Sequence, residues 1–183
     1  MHEIERRTFL GVALAGLPLT LFGQESKAPN ASRAIRIGAG QDRFGKDRTR
    51  GVSSSAYKVS GQDSSGQIFV MENANVKKGG SPRHLHHNEN ELFYVLEGEY
   101  IVEVGTERFH LTRGDCVFAP REIPHVWAFV GNTPGKMLVS FAPAGRMEEF
   151  FAEHDKRGSA YITDAALYRA YGLELIGPPL SVD

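Results

Sequence analysis

The feature that most constrains the fold is a train of short apolar runs at close spacing: Ala56 to Val59, Ile68 to Glu72, Leu92 to Leu96, Tyr100 to Val104, Glu107 to Leu111, Cys116 to Ala119, Val126 to Val130 and Met137 to Phe141. Turn formers separate them at Gly98-Glu99, Gly105, Arg113-Gly114-Asp115 and Gly131-Asn132. Runs of this length read as strands, and the gaps leave no room for the helical crossovers that parallel sheets require. The body of the chain is therefore expected to be all-β, a sandwich or barrel. Gly38-Ala39-Gly40 and Gly79-Gly80 lack the strand-to-helix setting of a phosphate loop and read as turns.

After Pro143 the period changes. Met147, Phe150, Phe151 and His154 fall at helical spacing, as do Leu167, Tyr168 and Tyr171 in a second segment that Thr163 or Asp164 could cap and Gly172 could end. These helices are expected to pack on the barrel, and their aromatic residues could instead line a substrate mouth or a dimer contact. A chain of 183 residues suits one compact domain with appendages. Its formal charge of −1, with only Arg43 to Arg50 locally basic, argues against a nucleic-acid partner. Cys116 is the single cysteine, so no intrachain disulfide forms, and its alternating apolar neighbours suggest a packed, inert thiol.

At the N-terminus, Glu5-Arg6-Arg7-Thr8-Phe9-Leu10 precedes a modestly apolar stretch from Gly11 to Phe22 and a polar run from Gln24 to Ser32. The stretch is short for a bilayer span, so no stable membrane insertion is expected. The paired arginines resemble a twin-arginine export signal, which implies a periplasmic or secreted protein exported already folded. The expected division is a signal peptide and linker over residues 1–32, a β-barrel over 33–144 and a helical extension over 145–183.

Within the strand train lies a set of side chains with metal-ligand chemistry. In an extended His84-Leu85-His86 the two imidazoles project to one side, with Leu85 and His87 on the other. The polar His87-Asn88-Glu89-Asn90 can reverse the chain and bring Glu91 back at the start of a returning strand. Glu89 is the rival carboxylate, and its place in the turn suggests that it faces solvent. Farther on, Pro120 and Pro124 bracket a rigid loop that aims His125 from the start of another strand. His84, His86, Glu91 and His125 are the expected metal residues, and Glu91, a carboxylate able to accept a substrate proton, is the expected catalytic one. Three imidazoles and a carboxylate suit one divalent transition metal ion, Fe, Mn, Ni, Cu or Zn, rather than Ca or Mg. A divalent ion beside one carboxylate leaves a net charge of about +1, which favours an anionic enolate, phenolate or carboxylate. His2, His87, His110 and His154 read as ordinary core or surface histidines.

These residues resemble the two motifs of the cupin superfamily: His84, His86, Glu91 and Gly98 match the first, and Gly114, Pro120 and His125 the second. Two positions depart from it. Glu122 stands where a glycine is usual, and Phe129 where an asparagine is common. The resemblance implies a jelly-roll β-sandwich barrel, a site of three histidines and one glutamate, and a homodimer. The wider stretch from Tyr57 to Leu180, including Lys58-Val59-Ser60-Gly61 and Gly177-Pro178-Pro179-Leu180, is similar to single-domain cupins of the quercetin dioxygenase-like kind. That implies a small-molecule substrate, a flavonol or related phenolic or enolic compound, cleaved with dioxygen. Phe69, Met71, Phe93, Phe118, Trp127 and Phe141 are the candidate pocket wall. Other cupin chemistries fit the same residues: a non-oxidative isomerase, lyase or decarboxylase, or a binding module without turnover.

Overall fold

A computed structural model describes residues 34–158 and 163–182. The expected signal peptide lies outside the described residues. The elements are β1 (Thr49–Arg50), β2 (Ser53–Val59), β3 (Phe69–Asn75), β4 (Gly79–Gly80), β5 (Pro82–His86), β6 (Asn90–Glu97), β7 (Tyr100–Val104), β8 (Glu107–Leu111), β9 (Cys116–Ala119), β10 (His125–Phe129), β11 (Gly135–Ala142), α1 (Met147–Arg157), α2 (Ala165–Ala170) and β12 (Leu173–Pro179). One sheet runs β1-β2-β3-β11-β6-β9 and the other β12-β5-β10-β7-β8, with β4 also on β10. Neighbouring strands pair antiparallel, as short glycine-marked connections require. The result is a jelly-roll β-sandwich with two C-terminal helices.

The core forms because each strand alternates. Along β6 the buried positions are Glu91, Phe93 and Val95, and along β11 they are Met137, Val139 and Phe141. Apolar side chains from both sheets meet in one cluster that also takes in Met147 and Phe150 of α1 and Leu167 and Tyr168 of α2. Burying each of these large side chains contributes about 1.5–3 kcal/mol. In β9 the alternation has the phase opposite to the one expected for its cysteine. Val117 and Ala119 face inward, and Cys116 is exposed rather than packed.

The helices start and stop as their residues dictate. Asp164 caps α2 by accepting from the backbone N–H groups of Ala166 and Leu167. No side chain caps α1, whose first turn carries Glu148 and Glu149 and whose last carries Lys156 and Arg157, matching the helix dipole. Long-range polar contacts tie α1 to the sheet. Ser60 Oγ and the Gly61 N–H donate to Glu148, while Arg48 and Arg50 both donate to Asp155. The segment after Pro143 is more than a helical extension, because β12 returns to pair with β5: Leu173 lies opposite His86 and Leu175 opposite His84.

Both departures from the cupin motifs have local explanations. Glu122 takes a left-handed backbone, φ 64°, at the position where glycine is usual, so the loop keeps its shape and the side chain bears the strain. Its N–H still donates to the His86 carbonyl at 2.8 Å. Phe129 is buried beside Tyr100, with ring centroids 5.3 Å apart, and packs on bare backbone: a Cβ on Gly135 would lie 2.5 Å from its ring. Replacing Glu122 with glycine should relieve about 1–2 kcal/mol of left-handed strain. Glycine's extra chain entropy takes back about 0.5–1 kcal/mol, and the exposed His87 contact adds little. A small rise in the urea midpoint of Glu122→Gly, with an unchanged m-value, is the expected result.

Candidate metal centre

Four buried side chains meet between the sheets. His84 and His86 come from β5 and His125 from β10, directly opposite His84 in the register, whereas Glu91 comes from β6 of the other sheet. One potential ligand atom from each lies within 4.8 Å of the others. The four residues singled out in the sequence are thus the four that the fold brings together.

The hydrogen bonds around them decide what the cluster lacks. His84 Nδ1 lies 2.8 Å from the Pro82 carbonyl and His125 Nδ1 3.0 Å from that of Ile123. A carbonyl only accepts, so each Nδ1 carries the proton and donates it, and in the neutral ring Nε2 is a bare lone pair. Yet Glu91 Oε2 stands 2.8 Å from His125 Nε2 and 3.1 Å from His86 Nε2. A carboxylate oxygen facing a nitrogen lone pair at that distance requires a cation between them, a proton or a metal ion. The donor set, its burial and its oriented outer nitrogens fit a transition metal ion, and these residues could hold one.

Electrostatics point the same way. Burial works against a charge on Glu91, but the imidazoles of His125 and His86 outweigh it and hold the carboxyl far below its usual range. Burial, reinforced by His125 and His86, pushes His84 down to about 3, so it stays neutral. Burial alone would also lower His86, but Glu89 and Glu91 reverse this and raise it to about 9.

Glu89 is where the sequence expectation fails. The chain reverses over only two exposed residues, His87 and Asn88, so Glu89 is carried back beneath His86 and is 1% exposed. Its Oε2 lies 3.5 Å from His86 Nδ1, too long for a hydrogen bond but close enough to fix the charge and orientation of that ring. Gly145 makes room for it: with φ 51° and no side chain, its backbone passes where a Cβ would overlap the Glu89 carboxylate. Glu91, not Glu89, reaches the three-histidine cluster.

A cavity of about 210 Å³ opens onto one side of the cluster, where His84 and Glu91 form part of its wall. Of the expected wall residues, Met71, Trp127 and Phe141 line it, Phe69 and Phe93 are buried in the core cluster without lining it, and Phe118 points outward, 57% exposed. The rest of the wall includes Met147, Phe150, Phe151 and His154 of α1 and Tyr168 of α2. The helical spacing of these residues was legible and left a substrate mouth open as one fate for the aromatic ones, but spacing alone did not choose it over packing. Tyr168 packs against His84, with ring centroids 5.8 Å apart, and burial together with the charge on Glu91 keeps its phenol protonated.

Residues 73–141 match the Cupin_2 family, described as a cupin domain. An uncharacterised Methanocaldococcus jannaschii protein, MJ1618, is 33% identical over 60 residues, which are 33% of this chain and 48% of that protein, so the chain spans about half the length of this curated relative. Among solved structures, an RmlC-like cupin from Shewanella frigidimarina shares 23% identity, with a TM-score of 0.48 over 62% of this chain and 93% of that one. A predicted oxalate decarboxylase from Thermotoga maritima shares 19% identity, with a TM-score of 0.47 over 50% of this chain and 80% of that one. KdgF from a Halomonas species shares 19%, with a TM-score of 0.44 over 50% and 81%. The matched segment runs from β3 to β11 and contains all four clustered residues, so this stretch of the chain is a cupin domain.

The raised pKa of His86 makes metal uptake depend on pH. Near pH 7 the metal-free ring is protonated, and a metal ion can bind only after that proton leaves. Uptake of a divalent ion at pH 7 should therefore release close to one proton from His86. Affinity should climb about tenfold per pH unit up to about 9 and level off above it. Calorimetry in buffers of different ionisation enthalpy measures the release, and Glu89→Gln should shift the levelling point to lower pH.

Proposed function

We propose that this protein is a metal-dependent enzyme acting on a small phenolic or enolic compound, with oxidation by dioxygen as its chemistry. The observation that carries the reading is the cavity, which has His84 and Glu91 in its wall and mainly apolar and aromatic side chains elsewhere. A divalent ion beside Glu91 leaves about one positive charge to balance, which suits a single enolate or phenolate oxygen. Substrates with several anionic groups fit poorly. The one arginine on the cavity wall, Arg50, already donates four hydrogen bonds, to Asp155 twice and to Ser55 and Tyr57. This speaks against oxalate or a sugar acid.

Size narrows the substrate further. An apolar cavity of about 150 Å³ admits one benzene ring, so the 210 Å³ here suits one ring with substituents or two fused rings. A three-ring flavonol exceeds it, and the substrate is correspondingly smaller than the wider sequence likeness implies.

In this reading His84, His86 and His125, through Nε2, and Glu91, through Oε2, would hold the ion. A bound redox-active divalent ion would supply Lewis acidity toward the substrate oxygen and a route to dioxygen. The protein's own residues do the rest. Oε2 of Glu91 is shared by two imidazoles, leaving Oε1 to accept the proton of a substrate hydroxyl. Tyr168, held protonated, would donate a hydrogen bond to the substrate oxygen, and the aromatic walls exclude water and orient the ring. Export by the twin-arginine route and assembly as a homodimer belong to the same proposal and rest on the sequence alone.

Oxygen-electrode assays with naphthalene-2,3-diol and the Fe, Mn, Ni and Cu forms provide the test. Uptake proportional to substrate with at least one metal is expected, and Glu91→Gln should lower kcat by about 10²- to 10⁴-fold, the usual contribution of a positioned base. Absence of uptake with every metal, or equal anaerobic turnover by a Zn form, would overturn the dioxygenase reading.

A further inference from the structure

His154 reads in the sequence as an ordinary histidine on a helix, and its setting is not ordinary. It lies on α1, beyond the matched cupin segment, is 4% exposed, and lines the same cavity as His84 and Glu91. Its Nδ1 is buried without a hydrogen-bond partner. Ser81 Oγ, on the same cavity wall, is also buried and unpartnered. Buried polar atoms are nearly always paired, so two unpaired ones on one cavity point to a ligand that completes them.

His154 does not belong to the metal cluster, since the four-residue group excludes it. Ring contacts lead from His84 to Tyr168, from Tyr168 to Phe150 and from Phe150 to His154, so in this chain of contacts two aromatic rings stand between it and His84. Burial, with the nearby Arg50 guanidinium, lowers the His154 pKa and keeps the ring neutral, with one N–H to donate and one lone pair to accept. Arg50 and Asp155 are satisfied by each other, and neither is free to serve the imidazole. The backbone is equally fixed: α1 is held to the sheet by Asp155 at this end and by Glu148 at the other.

We propose that His154 is a specificity-determining residue that hydrogen-bonds a hydroxyl on the end of the substrate remote from the metal. The inference rests on the site reading above and deepens it, because the substrate becomes a compact one- or two-ring compound with oxygens at both ends: an enol or diol facing Glu91 and a distal hydroxyl facing His154. A ligand bare at its far end leaves the imidazole unpaired, and an apolar site holding an unmatched polar group discriminates strongly against such a ligand.

The test compares naphthalene-2,3-diol with naphthalene-2,3,6-triol, which adds the distal hydroxyl, as ligands of the metal-loaded full-length protein under anaerobic conditions. The triol should bind the wild type about tenfold more tightly, the worth of one hydrogen bond to an otherwise unsatisfied group. His154→Leu should erase that preference, bringing the ratio of triol to diol affinity to about one, and His154→Gln should restore part of it. If the leucine variant does not fold, the imidazole 15N resonances of the wild type give the same answer by shifting with the triol and not with the diol. If the diol binds and the preference is absent in the wild type or persists in His154→Leu, the His154 inference is wrong and the site reading stands. If neither compound binds the metal-loaded wild type, the site reading falls and takes the inference with it.

Discussion

One carboxylate oxygen facing two imidazole nitrogens is the contact on which the rest of the site depends. Glu91 comes from one sheet and the three histidines from the other, so whatever cation sits among them links the two layers of the sandwich. The backbone carbonyls of Pro82 and Ile123 fix the protons on the outer nitrogens of His84 and His125, and the lone pairs consequently converge. Without a positive charge between them, this arrangement is repulsive. The buried core around it is rigid and close-packed, so the four side chains have little freedom to move apart.

The C-terminal segment converts that cluster into a chamber. Residues after Pro143 lay α1 and α2 over it and then return as β12 to pair with the strand carrying His84 and His86. The helices thus bring both cavity wall and anchoring, with Asp155 holding Arg48 and Arg50, and Glu148 holding Ser60. Under the proposed function, chemistry and selectivity would arise from different parts of the chain. The cupin segment supplies the charged cluster, and the helices supply most of the aromatic surface that decides what can approach it.

Much of this was legible in the residues. Strand alternation placed His84 beside His86 and excluded His87, which is exposed and meets Glu122 instead. The prolines around residues 120–124 marked the loop that delivers His125, and of the two candidate caps for α2, Thr163 and Asp164, the structure uses Asp164. What stayed hidden depended on long-range packing. Glu89 is polar and lies in a turn, yet the tightness of the turn and the bare backbone at Gly145 bury it under His86. In β9 the alternation was visible but its phase was not, because phase depends on which face meets the other sheet; so Cys116 and Phe118 turn outward. His154 read as an ordinary histidine and Tyr168 stood between packing and a substrate mouth, because a helical stripe has the same period whether it covers a core or a cavity.

Metal-edge X-ray absorption on purified full-length protein tests the central claim most directly, since it reads the ion's identity and counts its imidazoles. A single redox-active ion with three imidazoles and at least one oxygen, losing an oxygen contribution in Glu91→Gln, is the predicted spectrum. An ion with fewer than three imidazoles, or protein that takes up no metal when Fe, Mn, Ni, Cu and Zn are each supplied, would contradict it.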